Sequence, residues 1–176
     1  MKFSEDTIKM LFKIARASIT AGVEGRKHQP DPSPDLTEKC GVFVTIKLNS
    51  QLRGCIGYIE GIKPLYQAVS EMAYAAAFSD PRFPPIRKDE IKDIRLEITV
   101  LSPLERIDNI QKIEVGKHGL FIRKGVFQGL LLPQVAVEED WDRNTFLSHT
   151  CLKAGLPIDG WKDAEIFIFT GEIYKE

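Results

Sequence analysis

Apolar residues recur at helical spacing over residues 4–21, where Ile8, Leu11, Phe12, Ala15 and Ile19 fall on one side, so a first helix is predicted there. Ser4 can cap its start, Glu5 and Asp6 suit the positive end of the helix dipole, and Gly22 is the expected stop. A polar stretch holding Pro30, Pro32 and Pro34 then runs to Glu38 and reads as a surface loop over a site. The period changes to two over residues 42–48, and Asn49-Ser50 offers turn chemistry before residues 52–58, which predicts a hairpin. Pro64 opens a second helix with the stripe Leu65, Ala68, Val69, Met72 and Ala76, and Asp80 before Pro81 ends it. Pro84 and Pro85 keep residues 82–86 extended, Asp89 caps a short turn, and Leu96, Ile98 and Val100 alternate through a strand over residues 94–101. After a capped turn near Asp108, residues 119–123 and 126–132 flank Lys124-Gly125 as a second hairpin. Its second arm is apolar enough for burial on both faces, and Pro133 ends the pairing. Asp142 caps a third helix carrying Phe146, Leu147, Thr150, Cys151 and Ala154 on one side, and residues 164–170 and 172–174 return as strand. Hairpins with helices set between them, without strict βαβ alternation, predict an α+β fold: a mixed or antiparallel sheet packed with about three main helices.

Composition narrows the functional classes. The 176 residues, 43% hydrophobic and 28% charged, suit one domain, or two small lobes with a cleft between them, and exclude collagen-like, disulfide-stapled and disordered chains. Twenty-four basic against 25 acidic side chains give a formal net charge of -1, so any polyanion must meet a local patch. That favours a small or single-stranded ligand over a long duplex. No apolar run approaches the ~20 residues of a spanning helix, and Lys2, Glu5 and Asp6 stand where a signal core would be; a cytoplasmic protein with no membrane contact is expected. Cys40, Cys55 and Cys151 are odd in number and unpaired in spacing, which fits reduced thiols. With His28, His118 and His149 they make no CxxC or HxxxH pair, so no metal site is expected. No GxxxxGK[ST] or GxGxxG pattern supports a dinucleotide cofactor, and the cofactor question stays open.

Three segments stand out for chemistry. Leu52-Arg53-Gly54-Cys55-Ile56-Gly57 places two glycines in a strand, where something must approach the backbone closely. Period two puts Arg53, Cys55 and Gly57 on one face and Leu52, Gly54 and Ile56 on the core side. A guanidinium beside a thiol favours the nucleophilic thiolate, whereas Cys55 as a small buried hydrophobe under a close-packed helix is the alternative. Ser79-Asp80-Pro81-Arg82-Phe83-Pro84-Pro85 is stiffened by proline and presents Asp80, Arg82 and Phe83 in fixed directions, either as a binding loop or as an Asp80–Arg82 ion pair closing a turn. His118 lies between Lys117 and Gly119, a turn residue or a general base. Trp141 and Trp161 read as packing anchors.

Taken together, LRGCIG, DPRFPP, VGKHGL, LLPQV and the Trp141-Asp142 pair resemble the AMMECR domain family over nearly the whole chain. The resemblance implies a two-lobed α+β domain, likened to the RAGNYA nucleotide- and nucleic-acid-binding folds, with no settled activity. It implies Memo-like and radical-SAM proteins as pathway partners, and signature residues at 52–57, Asp80, Arg82, Phe83, Pro84, His118 and Gly119. Three functions follow. The first is binding of a small anionic ligand, a nucleotide or short RNA, by Arg53, Gly54, Asp80, Arg82 and Phe83, as an accessory to a modification pathway. The second is an enzyme with Cys55 as nucleophile and His118 in proton transfer; the third is a protein-interaction module using the 22–38 loop or an apolar patch.

Overall fold

The structure, a computed structural model, describes residues 2–176. The chain forms two compact units, one running through Leu101 and including Glu172–Glu176, the other Ser102–Gly171. Among the described residues no helix is long and apolar enough to cross a membrane.

The first unit sets two helices, α1 (Glu5–Val23) and α2 (Leu65–Phe78), on one face of a four-stranded sheet. Its strands are β1 (Gly41–Leu48), β2 (Gln51–Tyr58), β3 (Ile94–Leu101) and β8 (Gly171–Lys175), in the order β2-β1-β3-β8. Antiparallel pairing of β1 with β2 and β3 stacks Val42, Val44 and Ile46 against Leu96, Ile98 and Val100, all buried beneath the helices. The alternation of β1 and β3 therefore has a physical origin in one covered face. Ser4 caps α1, its Oγ accepting from the Thr7 N–H at 3.2 Å. Gly22 does not stop that helix. A Cβ there would overlap the Phe78 ring, so this glycine makes room for α2, and the chain turns away only at Gly25, whose φ is +72°. Alanines 68, 73, 76 and 77 are buried along α2 and allow the same close approach.

The β1–β2 turn is built on Asn49 and Ser50 with φ of 50° and 64°, the left-handed pair a two-residue hairpin requires. The ladder then slips: Lys47 faces Leu52 but Ile46 faces Gly54, leaving Arg53 as a one-residue bulge. Leu52 is consequently exposed, at 42%, and not on the core side that strict alternation predicts.

The second unit carries β4 (Glu105–Ile107), β5 (Gly119–Lys124), β6 (Phe127–Leu131) and β7 (Glu165–Phe169) in the order β4-β7-β5-β6, with α3 (Pro133–Glu138) and α4 (Arg143–Lys153). Its core joins Leu120, Ile122, Phe146, Leu147, Cys151 and Ile168, with Trp141 and Trp161 packed at the margin. Asp142 caps α4, accepting from the Thr145 N–H at 2.7 Å, and Gly155 leaves it with φ +77°. One expectation changes here. β6 lies at the sheet edge with Phe127 half exposed, so the strand buried on both faces is β5. Pairing ends at Leu131, just before Pro133 as expected, and Pro133 also begins α3, because a proline at the first helical position gives up a donor that has no partner there anyway. The capped turn expected near Asp108 is there, with Asn109 as the cap, accepting from the Gln111 N–H at 2.9 Å.

Candidate functional site

β2 is the outer strand of its sheet, and an outer strand leaves backbone N–H and C=O groups facing away from its neighbour. At Cys55 both are taken up from the segment that leaves α2. The Cys55 N–H donates to Asp80 Oδ2 at 2.9 Å, and Arg82 Nη2 donates to the Cys55 carbonyl at 3.3 Å. Asp80 and Arg82 also grip each other in a two-point fork, Nε to Oδ1 at 3.0 Å and Nη2 to Oδ2 at 2.7 Å, while the Arg82 N–H donates to Oδ1 at 3.1 Å. The Asp80 side chain is 2% exposed and fully engaged. The Arg82 guanidinium, helped by the Cys55 and Arg82 backbone N–H groups, holds its carboxyl well below the usual carboxylate range against the opposing effect of burial. Phe83 donates its N–H to the Asp80 carbonyl at 3.2 Å, closing the turn, and its ring lies under the Arg82 guanidinium at 5.4 Å.

The bulge at Arg53 directs its side chain onto the same segment. Nε and Nη2 meet Glu90 Oε1 and Oε2 at 2.9 and 3.1 Å, Nη1 meets the Pro84 carbonyl at 2.7 Å, and Nη2 also reaches the Pro85 carbonyl at 3.2 Å. Arg53 lowers the Glu90 carboxyl from its ordinary range, chiefly through that fork, with the Arg87 N–H adding to it. Burial of Ile86, whose N–H donates to the Ala77 carbonyl at 2.9 Å, pins the segment to the core. Residues 80–90 thus cover the outer edge of β2 through two arginine–carboxylate forks. The prolines explain how they can: Pro84 and Pro85 lack N–H groups and offer only carbonyls, which Arg53 uses.

The thiol itself is half-buried on the sheet face opposite the helices, and the Thr45 hydroxyl, directly across the ladder, donates to Sγ at 3.2 Å. The other two thiols are buried, and that burial pushes both Cys40 and Cys151 up.

Of the residues singled out in the sequence, the structure brings Arg53, Cys55, Asp80, Arg82 and Phe83 together. Their pairing differs from expectation: the guanidinium bonded at Cys55 is that of Arg82, and Arg53 serves Glu90 and the proline carbonyls. Gly54 offers no opening to a ligand, because the Ala76 carbonyl of α2 fills the position of its missing Cβ. His118 lies in the second unit, buried, with Nδ1 accepting from the Glu114 N–H at 3.1 Å. Sequence reasoning missed Glu90 and Thr45. The signal for Glu90 was its spacing of three from Arg87, whose N–H it accepts at 2.8 Å. A regular two-residue hairpin would have put Thr45 opposite Gly54, and only the bulge moves it to Cys55. No group of three or more His, Cys, Asp or Glu among the described residues could hold a metal ion.

Comparison with known proteins places this geometry in a family. Protein NEQ441 of Nanoarchaeum equitans is 46% identical, over 94% of this chain and 98% of its own length. Protein MK0488 of Methanopyrus kandleri is 47% identical, over 96% of this chain and 87% of its own. The crystal structure of protein PH0010 from Pyrococcus horikoshii superposes with a TM-score of 0.91 at 41% identity, covering 100% of this chain and 94% of that one. The AMMECR1 family profile matches residues 12–174, and the chain belongs to that family.

Proposed function

We propose that the protein holds a small anionic compound, nucleotide-sized or a short piece of RNA, against Arg82 and presents it to the Cys55 thiol. One observation carries this reading: a single buried carboxylate, Asp80, fixes the backbone of the half-buried thiol and the guanidinium of a half-exposed arginine at once. Groups locked before a ligand arrives lose little freedom on binding it. Arg82 is the grip because its side chain is 53% exposed, whereas that of Arg53 is 12% exposed and already engaged. Arg53 is therefore a positioning residue. Phe83, beside Arg82, supplies a ring for stacking. Thr45 orients the sulfur. His118 belongs to the second unit and takes no part in this reading. In this reading the site is an accessory to a modification pathway, and Memo-like and radical-SAM proteins are the partners to test.

The test is a competition between two alkylating reagents of the same size, negatively charged iodoacetate and neutral iodoacetamide. Cys55 should be the thiol labelled in the native protein, with iodoacetate favoured by several-fold over its ratio on a free thiol. A mononucleotide should slow both. Arg82→Gln should return the ratio to that of a free thiol, with folding checked by circular dichroism. An unreactive Cys55, or a ratio that Arg82→Gln leaves unchanged, would sink the proposal.

A further inference from the structure

A cavity of about 520 Å³ opens on the helix side of the first unit, lined by Lys27 and His28 from the proline-rich loop, Tyr58 of β2, Lys63, and Glu71 and Tyr74 of α2. The site described above lies on the other face of β2, since Tyr58 pairs with buried Val42 and Cys55 pairs with Thr45. Its volume is in the range of ordinary small-molecule sites.

The groups around it are unequal in what they offer. Glu71 is the one carboxylate in the lining, and both its oxygens are occupied: Lys63 Nζ donates to Oε1 at 2.6 Å and the Tyr58 hydroxyl to Oε2 at 2.9 Å. Lys63 keeps two further N–H donors. Lys27 and His28 enter no side-chain hydrogen bond or ion pair among the described residues. Two ammonium groups and an imidazole thus face one carboxylate with no oxygen left unengaged, so the cavity offers donors and a positive excess. Tyr58 and Tyr74 add flat aromatic faces, the latter steadied by the Phe78 ring at 4.9 Å.

The cavity is also held open by its frame. The loop starts at Gly25 with the Arg26 N–H on the Ala21 carbonyl at 2.8 Å, is stiffened by Pro30, Pro32 and Pro34, and is anchored by fully buried Leu36. Its far end is tied beside Lys63 by the Lys39–Pro64 bridge and by the Leu65 N–H on the Glu38 carbonyl at 3.0 Å. We infer that this cavity is a second binding site, for a small aromatic anion: a planar ring set against the tyrosines and carrying a carboxylate or phosphate met by Lys63 and Lys27.

Isothermal calorimetry on the full chain tests this with 4-hydroxybenzoate and phenyl phosphate as ring-bearing anions, and with phenol and inorganic phosphate as their halves. At least one ring-bearing anion should bind, and whichever binds tells carboxylate from phosphate. Each half should bind about tenfold more weakly, because ring and charge contribute together. Lys63→Met, at a half-exposed position, should weaken the bound anion about tenfold and Lys27→Gln, at an exposed one, a few-fold, while Arg82→Gln leaves it unchanged. The inference is overturned if neither anion binds at about 10 mM, if both lysine variants bind as the parent does, or if inorganic phosphate matches phenyl phosphate.

Discussion

The outer strands β2 and β6 use one device and put it to different ends. In each, a glycine lets a helix settle on the sheet: a Cβ at Gly54 would meet the Ala76 carbonyl of α2, and one at Gly129 would meet the backbone of Ala154 after α4. The strands differ in what lies along the outside. β2 is covered by residues 80–90 with two arginine–carboxylate forks, whereas β6 presents Phe127 and Gln128 to solvent. A strand glycine therefore reports helix packing in both units, and it is the buried charge beside β2 that sets that edge apart.

The comparison can be broken most sharply at Glu90. Glu90→Ala leaves the 12%-exposed Arg53 without its carboxylate and should cost about 3–5 kcal/mol, read by urea unfolding with labelling of buried Cys40 as the probe of the first unit. The two glycines come next. Gly54→Ala and Gly129→Ala should each destabilise their own unit by about 1–3 kcal/mol, and since Trp141 and Trp161 both lie in the second unit, tryptophan fluorescence follows it separately. A harmless Gly129→Ala would show that only β2 needs its glycine.

Acid separates the units further. Asp80 and Glu90 have folded-state values below their unfolded ones, so their contribution is complete above the unfolded carboxylate range and is lost as pH falls from about 5 toward the folded values. In the second unit Asp163 and Glu165 are lowered by the exposed Lys124 and Arg123, partners that salt screens. Raising salt to about 0.5 M should shrink the Asp163 and Glu165 part of the acid dependence seen by tryptophan fluorescence, leaving what Asp142 owes to the Thr145 N–H, and should take from the Cys40 signal only what the exposed Arg87–Asp89 pair adds. Asp80→Asn should reduce the acid dependence seen at Cys40 and leave the part that Glu90 supplies. The smallest effect belongs to Phe127→Ser, at a half-exposed position, which should stay within about 0.5 kcal/mol in the same urea titration.

Much of this architecture was legible where local chemistry and burial agree. Ser4 and Asp142 cap the helices expected of them, Asn49-Ser50 turns the first hairpin, and the strand over residues 94–101 forms, alternating in burial through Glu97 and buried throughout from Ile98. The edge position of β6 was not legible, because Phe127, Leu130 and Leu131 look alike whether a strand is central or outermost; neighbour order is set by distant pairing. Gly22 misled for a similar reason: a glycine that ends a helix and one that admits a neighbouring helix are the same letter. At the site, the residues could be named but not their pairing. Strict alternation put Arg53 beside Cys55, and a one-residue slip, invisible in composition, handed that position to Arg82 and sent Arg53 to Glu90.

β8 joins a sheet whose other three strands precede Ser102, so the first unit is interrupted in sequence by the whole of the second. Synthesis from the N-terminus delivers all of residues 102–171 before that last strand exists, and until then β3 carries an unsatisfied border. The inserted unit therefore has its complete set of strands before its host receives its last one.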